Sequence, residues 1–207
     1  MLFSDMSERV VPEKFARLER SFVQHLKARN TRDFISFPRN TTFLGKEEDE
    51  SVVLVTRAHW TAVLPQIMAG AGVILLSLFL LTLFPSLFKN VFFVLALLTI
   101  SALLSISIAL YAYLRWYYNV NIITDQRVID IDFTSLFSHS TTEARLDKIE
   151  DVTSKQIGIL SSLIDMGTVY IQTAGAKSEI EFDNIPKPKE VQDILSDLLE
   201  AKHNKEI

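Results

Sequence analysis

The sequence predicts a two-part fold: a membrane α-helical hairpin, and an α+β domain in which a bent antiparallel sheet is capped by a C-terminal helix. Two observations predict it. Between Ala58 and Leu114 the chain carries one formal charge, Lys89, which separates two long apolar runs. From residue 116 onward, short segments alternate apolar with polar residues, and apolar residues with helical spacing follow them. Long apolar runs are typical of transmembrane helices, and alternation is typical of strands with one buried face.

The two apolar runs, residues 60–84 and 91–114, each exceed the roughly 20 residues with which a helix crosses a bilayer. The link Pro85–Asn90 is short, so both soluble ends are expected on one side of the membrane. A buried core helix of a soluble protein rarely reaches this length without a polar face. The N-terminus lacks the pattern of a cleavable signal peptide, so we expect the first helix to act as an uncleaved anchor.

Charged and aromatic residues predict the orientation of the hairpin. Arg57 and Arg115 bracket its open end, whereas its turn carries Lys89 alone. Because basic residues are retained in the cytoplasm, the N- and C-termini are both expected there. Aromatic rings at the open end suit the headgroup layer. The predicted membrane-interface anchors are Arg57, Trp60, Arg115, Trp116 and Tyr117.

Small residues predict where the two helices meet. Gly70 lies on the first helix, and Ser101, Ser105 and Ala109 recur every four residues on the second. Small side chains let helix backbones approach closely in lipid, and Gly70 and Ser105 are expected at about the same depth. A transport path would need charged or strongly polar groups at the midplane, so the sequence does not favour a pore or a pump.

The C-terminal part predicts several antiparallel strands. Tyr118, Val120 and Ile122 alternate with polar residues, a turn follows at residues 124–127, and the alternation resumes at Ile129. Further strands are predicted at residues 140–145, 148–154, 168–173 and 179–183. The extended segment 52–56, before the hairpin, is expected to join the same sheet with both faces buried, since an unpaired strand this rich in valine would invite aggregation.

Helical segments complete this part. Residues 157–164 are apolar without alternation and predict a short helical loop that covers one end of the sheet. After Pro186-Lys-Pro188, five apolar residues have helical spacing and predict an amphipathic C-terminal helix. They are Val191, Ile194, Leu195, Leu198 and Leu199.

Several segments resemble the bacterial pleckstrin-homology (PH)-like domain of membrane-tethered proteins, a family of unknown function. The matching segments are Ile122–Ile129, Leu146–Val152, Gly167–Thr173 and Ile185–Pro188, and Ser51–Trp60 resembles the segment that often precedes the first membrane helix. The resemblance implies a PH-like domain at residues 116–200 in a multi-pass protein of the bacterial inner membrane. The predicted organisation is 1–42, a basic amphipathic helix and linker; 43–57, an extended segment contributing a strand; 60–84 and 91–114, transmembrane; 116–200, PH-like; and 201–207, a tail.

The stretch Glu13–Arg29 predicts an amphipathic helix with an apolar stripe that includes Phe15. Three interpretations stay open: a helix on an anionic leaflet, a helix packed against the acidic C-terminal domain, and an arm that binds another protein. The candidate lipid contacts are Lys14, Arg17, Arg20 and Lys27.

Composition and motifs do not favour catalysis or ligand chemistry. The chain has no cysteine, and its four histidines lack metal-ligand spacing, so no metal site is expected. Residues 119–207 hold nine Lys/Arg against sixteen Asp/Glu, a net charge of −7. Phosphoinositide-binding PH domains use a basic cluster in their first strand pair, which this acidic domain lacks. Glu47–Glu50 is interpreted as a solvated acidic loop. No catalytic residue, cofactor or nucleic-acid partner is predicted.

The sequence therefore predicts a non-enzymatic, membrane-anchored PH-like protein that acts as a scaffold or regulator of other membrane components. The alternative is an anionic-lipid-sensing module that uses the N-terminal basic helix together with Arg57, Arg115 and Arg127. An accessory subunit of a transporter or enzyme is the third hypothesis. The expected partners are the lipid bilayer, other membrane proteins and a second copy of the chain.

Overall fold

The computed structural model describes residues 15, 31, 33–38, 43, 45–86, 88–135, 138–174 and 179–204. The chain divides into two units. One is Trp60–Tyr118, and the other combines Met1–His59 with Asn119–Ile207. The second unit is therefore interrupted in the sequence by the first.

The first unit is a hairpin of two apolar helices. A 3-10 turn, Trp60–Val63, leads into α1, Leu64–Leu83, and the chain returns as α2, Val91–Tyr118. The side-chain oxygen of Asn90 accepts the backbone N–H of Phe92 at 2.9 Å and so satisfies a free donor at the start of α2. By length and composition both helices could cross a membrane, and few of their residues are buried. The second helix continues four residues beyond its predicted end.

The second unit contains two antiparallel sheets. The first has five strands in the order β1, Phe34–Ser36; β2, Val52–Thr56; β3, Val120–Thr124; β4, Arg127–Ser135; and β5, Ser138–Arg145. The second has three strands, β6, Ile149–Lys155; β7, Met166–Thr173; and β8, Glu179–Pro186. Two helices accompany them, α3, Ile159–Leu163, and α4, Pro188–His203.

One hydrophobic core joins both sheets to α4. The predicted apolar stripe of α4 supplies Val191, Ile194, Leu195 and Leu198, which are fully buried, and Leu199 packs against them partly exposed. Strand residues from both sheets meet this stripe because alternate side chains point to the same face. They include Leu54, Ile123, Val128, Val152, Val169, Ile171, Ile180 and Phe182.

Strand β2 lies inside the first sheet, between β1 and β3. Leu54 pairs with Ile123 and Val55 with Ile122, in antiparallel register. All five residues of β2 are buried, as an apolar run with neighbours on both sides requires. The predicted pairing of this strand with the C-terminal part of the chain is therefore present.

Two sequence predictions about this unit were wrong. The strands form two sheets rather than one bent sheet, because a 3-10 turn with buried Leu146 separates β5 from β6. The helical loop at residues 157–164 exists as α3, but it does not cover the sheet: Ile157, Ile159 and Leu163 are mostly exposed. Strand β1 was not predicted at all.

Candidate functional site

The β3–β4 turn is fastened to the segment that precedes β2. The Thr124 hydroxyl accepts the backbone N–H of Arg127 at 3.0 Å and donates to Oε1 of Glu50 at 2.8 Å. Beside it, the Asp125 carboxylate accepts the backbone N–H of Ser51 at 2.8 Å. The turn thus binds residues that lie more than seventy positions earlier in the chain.

Arg127 is the centre of this arrangement. Its Nε and Nη2 donate to the two carboxylate oxygens of Glu50, at 3.0 and 2.9 Å, which is the bidentate geometry that arginine favours. Its Nη1 donates to Glu143 at 2.9 Å, and Nη2 also reaches the carbonyl of Gly45 at 2.6 Å. The Phe43 ring lies 5.9 Å from the guanidinium carbon. All three nitrogens of this guanidinium therefore have acceptors inside the domain.

Burial and hydrogen bonding act in opposite directions on the Glu50 carboxylate. Its side chain is 0% exposed, and this burial raises its pKa. Hydrogen bonds from Arg127, Thr124 and the backbone of Glu47 outweigh burial, so the pKa of Glu50 lies below its usual range. The same hydrogen bond raises the pKa of Arg127. Both groups stay charged, and each neutralises the other.

This geometry corrects the interpretation of Glu47–Glu50 as a solvated acidic loop. Glu50 is a buried partner of Arg127, whereas Glu47, Glu48 and Asp49 are exposed. The same geometry weighs against Arg127 as a contact for lipid headgroups, because the donors of its guanidinium already bind carboxylates and a carbonyl. Sequence reasoning missed the pair because Glu50 precedes the hairpin in the sequence and Arg127 follows it.

A small cleft lies beside the pair. Its volume is about 230 Å³, and it is lined by Glu47, Gln126, Arg127, Glu143 and Arg145. Two acidic and two basic side chains share this cleft, so it does not concentrate positive charge. A phosphate group needs several donors that are not already neutralised. The cleft therefore lacks the chemistry of a phosphoinositide site.

The predicted interface anchors differ in their exposure. Trp60 and Arg115 are exposed, Trp116 and Tyr117 are partly buried, and Arg57 is buried within the second unit. The Tyr117 ring stacks on Tyr113, 6.0 Å away, and its edge meets Tyr118. The role of these residues at a membrane surface stays a prediction.

The predicted contact between the hairpin helices is present. A Cβ atom added at Gly70 would lie 3.0 Å from Oγ and 3.3 Å from the carbonyl oxygen of Ser105. Gly70 and Ser101 are buried, while Ser105 and Ala109 are partly exposed. The Ser101 hydroxyl donates to the carbonyl of Leu98 at 3.0 Å, so it is satisfied within its own helix.

The candidate lipid contacts Lys14, Arg17, Arg20 and Lys27 lie outside the described residues. One residue of the same stretch is described: Phe15 is 1% exposed and belongs to the core of the second unit. Its ring lies 5.4 Å from that of Phe37. At this position the apolar stripe packs on the domain, which favours the second of the three interpretations.

Within the described part of the chain, no three His, Asp or Glu side chains are grouped as metal ligands would be. His59 lies in the second unit, where burial lowers its pKa and the charge of Asp33 opposes that shift.

The sequence model of the family described as bacterial PH domain matches residues 62–199. A crystal structure of a DUF1696 family protein with a pleckstrin-homology domain, from Shewanella loihica PV-4, is similar at 16% identity and a TM-score of 0.32, covering 42% of this chain and 72% of that one. None of the curated proteins matches the chain.

Proposed function

The chain belongs to the bacterial PH domain family, and we propose that it is a non-enzymatic membrane protein that presents this domain to other membrane proteins. In this proposal the α1–α2 hairpin spans the bacterial inner membrane, both termini are cytoplasmic, and the PH domain is a scaffold or regulator. The family match supports the PH domain. The apolar hairpin and the distribution of charged residues support the membrane anchor, its orientation and the proposed role.

The observation that carries the proposal is the pairing of β2 with β3. The chain leaves the domain after β2, forms the hairpin, and returns to the neighbouring strand β3. Both ends of the hairpin are therefore tied to one folded domain. If the helices span a membrane, the domain and both ends must lie on the same side of it.

The basic residues support a cytoplasmic domain. Arg57 and Arg115 flank the open end of the hairpin, and Lys89 alone lies in its turn. Basic residues near membrane helices are retained on the cytoplasmic side. A domain on this side would meet the cytoplasmic parts of other membrane proteins.

Protein binding is favoured over specific phosphoinositide binding because of the chemistry at the β3–β4 turn. Arg127 is neutralised by Glu50 and Glu143, and Asp125 adds a further carboxylate to the turn. The domain is also acidic overall. An acidic surface repels the anionic headgroups that a lipid sensor must bind, and it suits a protein partner instead.

Cysteine labelling would test the topology, since the chain has no cysteine of its own. Ser86→Cys places a thiol in the hairpin turn, and Asn204→Cys places one after α4; both positions are exposed. In intact cells without an outer membrane, a membrane-impermeant maleimide should label residue 86 at once and residue 204 only after lysis. Labelling of residue 204 in intact cells, or of residue 86 only after lysis, would contradict the proposed topology.

A photo-crosslinking amino acid would test the scaffold role. Placed at Gln172, which is exposed on β7, it should yield discrete protein adducts when cells are irradiated. The matched position is Ser86 in the hairpin turn, which faces the other side of the membrane in this proposal. Adducts at residue 172 that contain only lipid would favour the lipid-sensing alternative and contradict protein scaffolding.

A further inference from the structure

The loop between β6 and β7 exposes an unusual amount of apolar surface. Ile157, Ile159 and Leu163 are 78, 89 and 80% exposed, although they lie within seven residues of one another. Single exposed apolar side chains are common on proteins, but a cluster at the tip of one loop marks an interaction site. We call residues 156–165 the apolar loop.

Ser162 and Gln156 are hydrogen-bonded within the apolar loop. The backbone N–H and the hydroxyl of Ser162 both donate to the carbonyl of Gly158, at 3.2 and 3.3 Å. At the base, the Gln156 amide donates to the Asp165 carboxylate at 2.8 Å. Hydrocarbon offers no hydrogen-bond partners, so a segment that enters it must satisfy its own polar groups. The hydrogen bonds of Ser162 and Gln156 meet this requirement for those residues.

The charge and size of the loop favour a bilayer over a protein partner. No charged residue occurs from 156 to 164, and Lys155 and Asp165 flank this stretch. A stable protein interface takes roughly 20–30 residues on each side, far more than three side chains supply. Insertion into a bilayer needs no such area, because each apolar side chain gains from it independently.

The loop projects from the sheet end at which the chain passes into the hairpin. Directly after the loop, Met166 pairs with Pro186 in β8. Two residues before Pro186, the carbonyl of Asn184 accepts the backbone N–H of His59 at 2.7 Å. His59 is the last residue before the hairpin unit begins at Trp60. The chain therefore enters the hairpin unit one residue after a hydrogen bond to this end of the sheet.

We propose that the apolar loop inserts Ile157, Ile159 and Leu163 into the cytoplasmic leaflet of the membrane that the hairpin crosses. This inference rests on the proposed membrane function and adds a second point of attachment. Lys155 flanks the loop on one side and Asp165 on the other, so the uncharged stretch between them is the part that can leave water. With two attachments the domain is held in one orientation on the leaflet.

The test uses the full chain in phosphatidylcholine vesicles. A single cysteine at Ile159 is labelled with the polarity-sensitive fluorophore NBD, and doxyl groups on the lipid chains serve as quenchers. Leu75→Cys, on the exposed surface of α1, is the membrane reference, and Glu181→Cys, on β8, is the aqueous reference. We expect doxyl lipids to reduce the emission at residue 159 to a degree nearer to residue 75 than to residue 181, with a blue shift.

The two reference positions, residues 75 and 181, distinguish the possible negative results. Quenching at residue 75 together with an unquenched, unshifted signal at residue 159 would overturn the apolar-loop proposal and leave the membrane anchor intact. An unquenched signal at residue 75 would overturn the membrane anchor itself, and the loop proposal with it. A blue shift at residue 159 that depends on protein density and ignores doxyl lipids would assign the loop to a second copy of the chain and overturn lipid insertion.

Discussion

Replacing Arg127 by methionine should destabilise the PH domain far more than the same change at Arg145. Arg127 is 17% exposed and holds a carboxylate, that of Glu50, with no exposed surface. Arg145 is 77% exposed, and its partner Asp147 lies 3.5 Å away at the surface. Removing one member of a buried ion pair leaves the other charge in a medium of low polarity.

The two environments predict the size of each effect. Breaking a buried pair typically costs ~3–5 kcal/mol, and the partial exposure of Arg127 places Arg127→Met near the lower limit. Breaking an exposed pair costs ~0–1 kcal/mol, which is the expectation for Arg145→Met. Urea titration of the full chain in detergent, followed by the circular dichroism of the β-sheets, would measure both. Equal midpoints for the two variants would refute the reasoning.

The same pair predicts a pH dependence. Because the folded state lowers the pKa of Glu50, the unfolded chain binds more protons between the two pKa values. The stabilisation by this ion pair is therefore complete above the unfolded-state pKa of Glu50, near 4.5. It is lost as the pH falls through the folded-state pKa. The stability difference between the original chain and Glu50→Gln should shrink over this range. A difference that stays constant from neutral pH to pH 4 and below would contradict an ionised Glu50.

Two glycine substitutions test the packing of each unit. Gly70→Leu should lower the thermal stability of the hairpin in detergent by ~1–3 kcal/mol through overpacking against Ser105, whereas Gly72→Leu, where an added Cβ meets nothing within 4 Å, should not. Unchanged stability of both variants would mean that Gly70 faces lipid. Gly167→Ala would place a Cβ against the carbonyl oxygen of Lys155, so β6 and β7 must separate and the amides of β7 should exchange faster. Unchanged exchange would contradict this close approach.

Local periodicity made part of the fold predictable. The α4 stripe from Val191 to Leu198 is buried as its spacing requires, because an amphipathic helix has one face to bury whatever it packs on. The buried run of β2 likewise indicated neighbours on both sides. The small residue Gly70 indicated the helix contact with Ser105, because close approach in lipid allows few other residues.

Features that depend on register or on distant segments could not be predicted. Glu50 and Arg127 are 77 positions apart, and only the pairing of β2 with β3 brings them together. Composition alone made Glu50 resemble its exposed acidic neighbours. The apolar residues around Ile159 suggested a buried loop. Their burial depends on whether another element packs over them, and the sequence of the loop does not determine that.

If the hairpin spans a membrane, the interruption of the domain makes hairpin insertion and domain folding depend on each other. Strand β2 is synthesised before the hairpin, but its partner β3 and the buried charge partner of Glu50 follow it. Until Arg127 has emerged, the Glu50 carboxylate has no guanidinium to pair with, and burying it alone is costly. The first sheet can therefore close only when both ends of the hairpin have returned to the same side. If the hairpin spans a membrane, a completed domain thus reports a correctly inserted hairpin, and the Glu50–Arg127 ion pair joins the two segments that flank it.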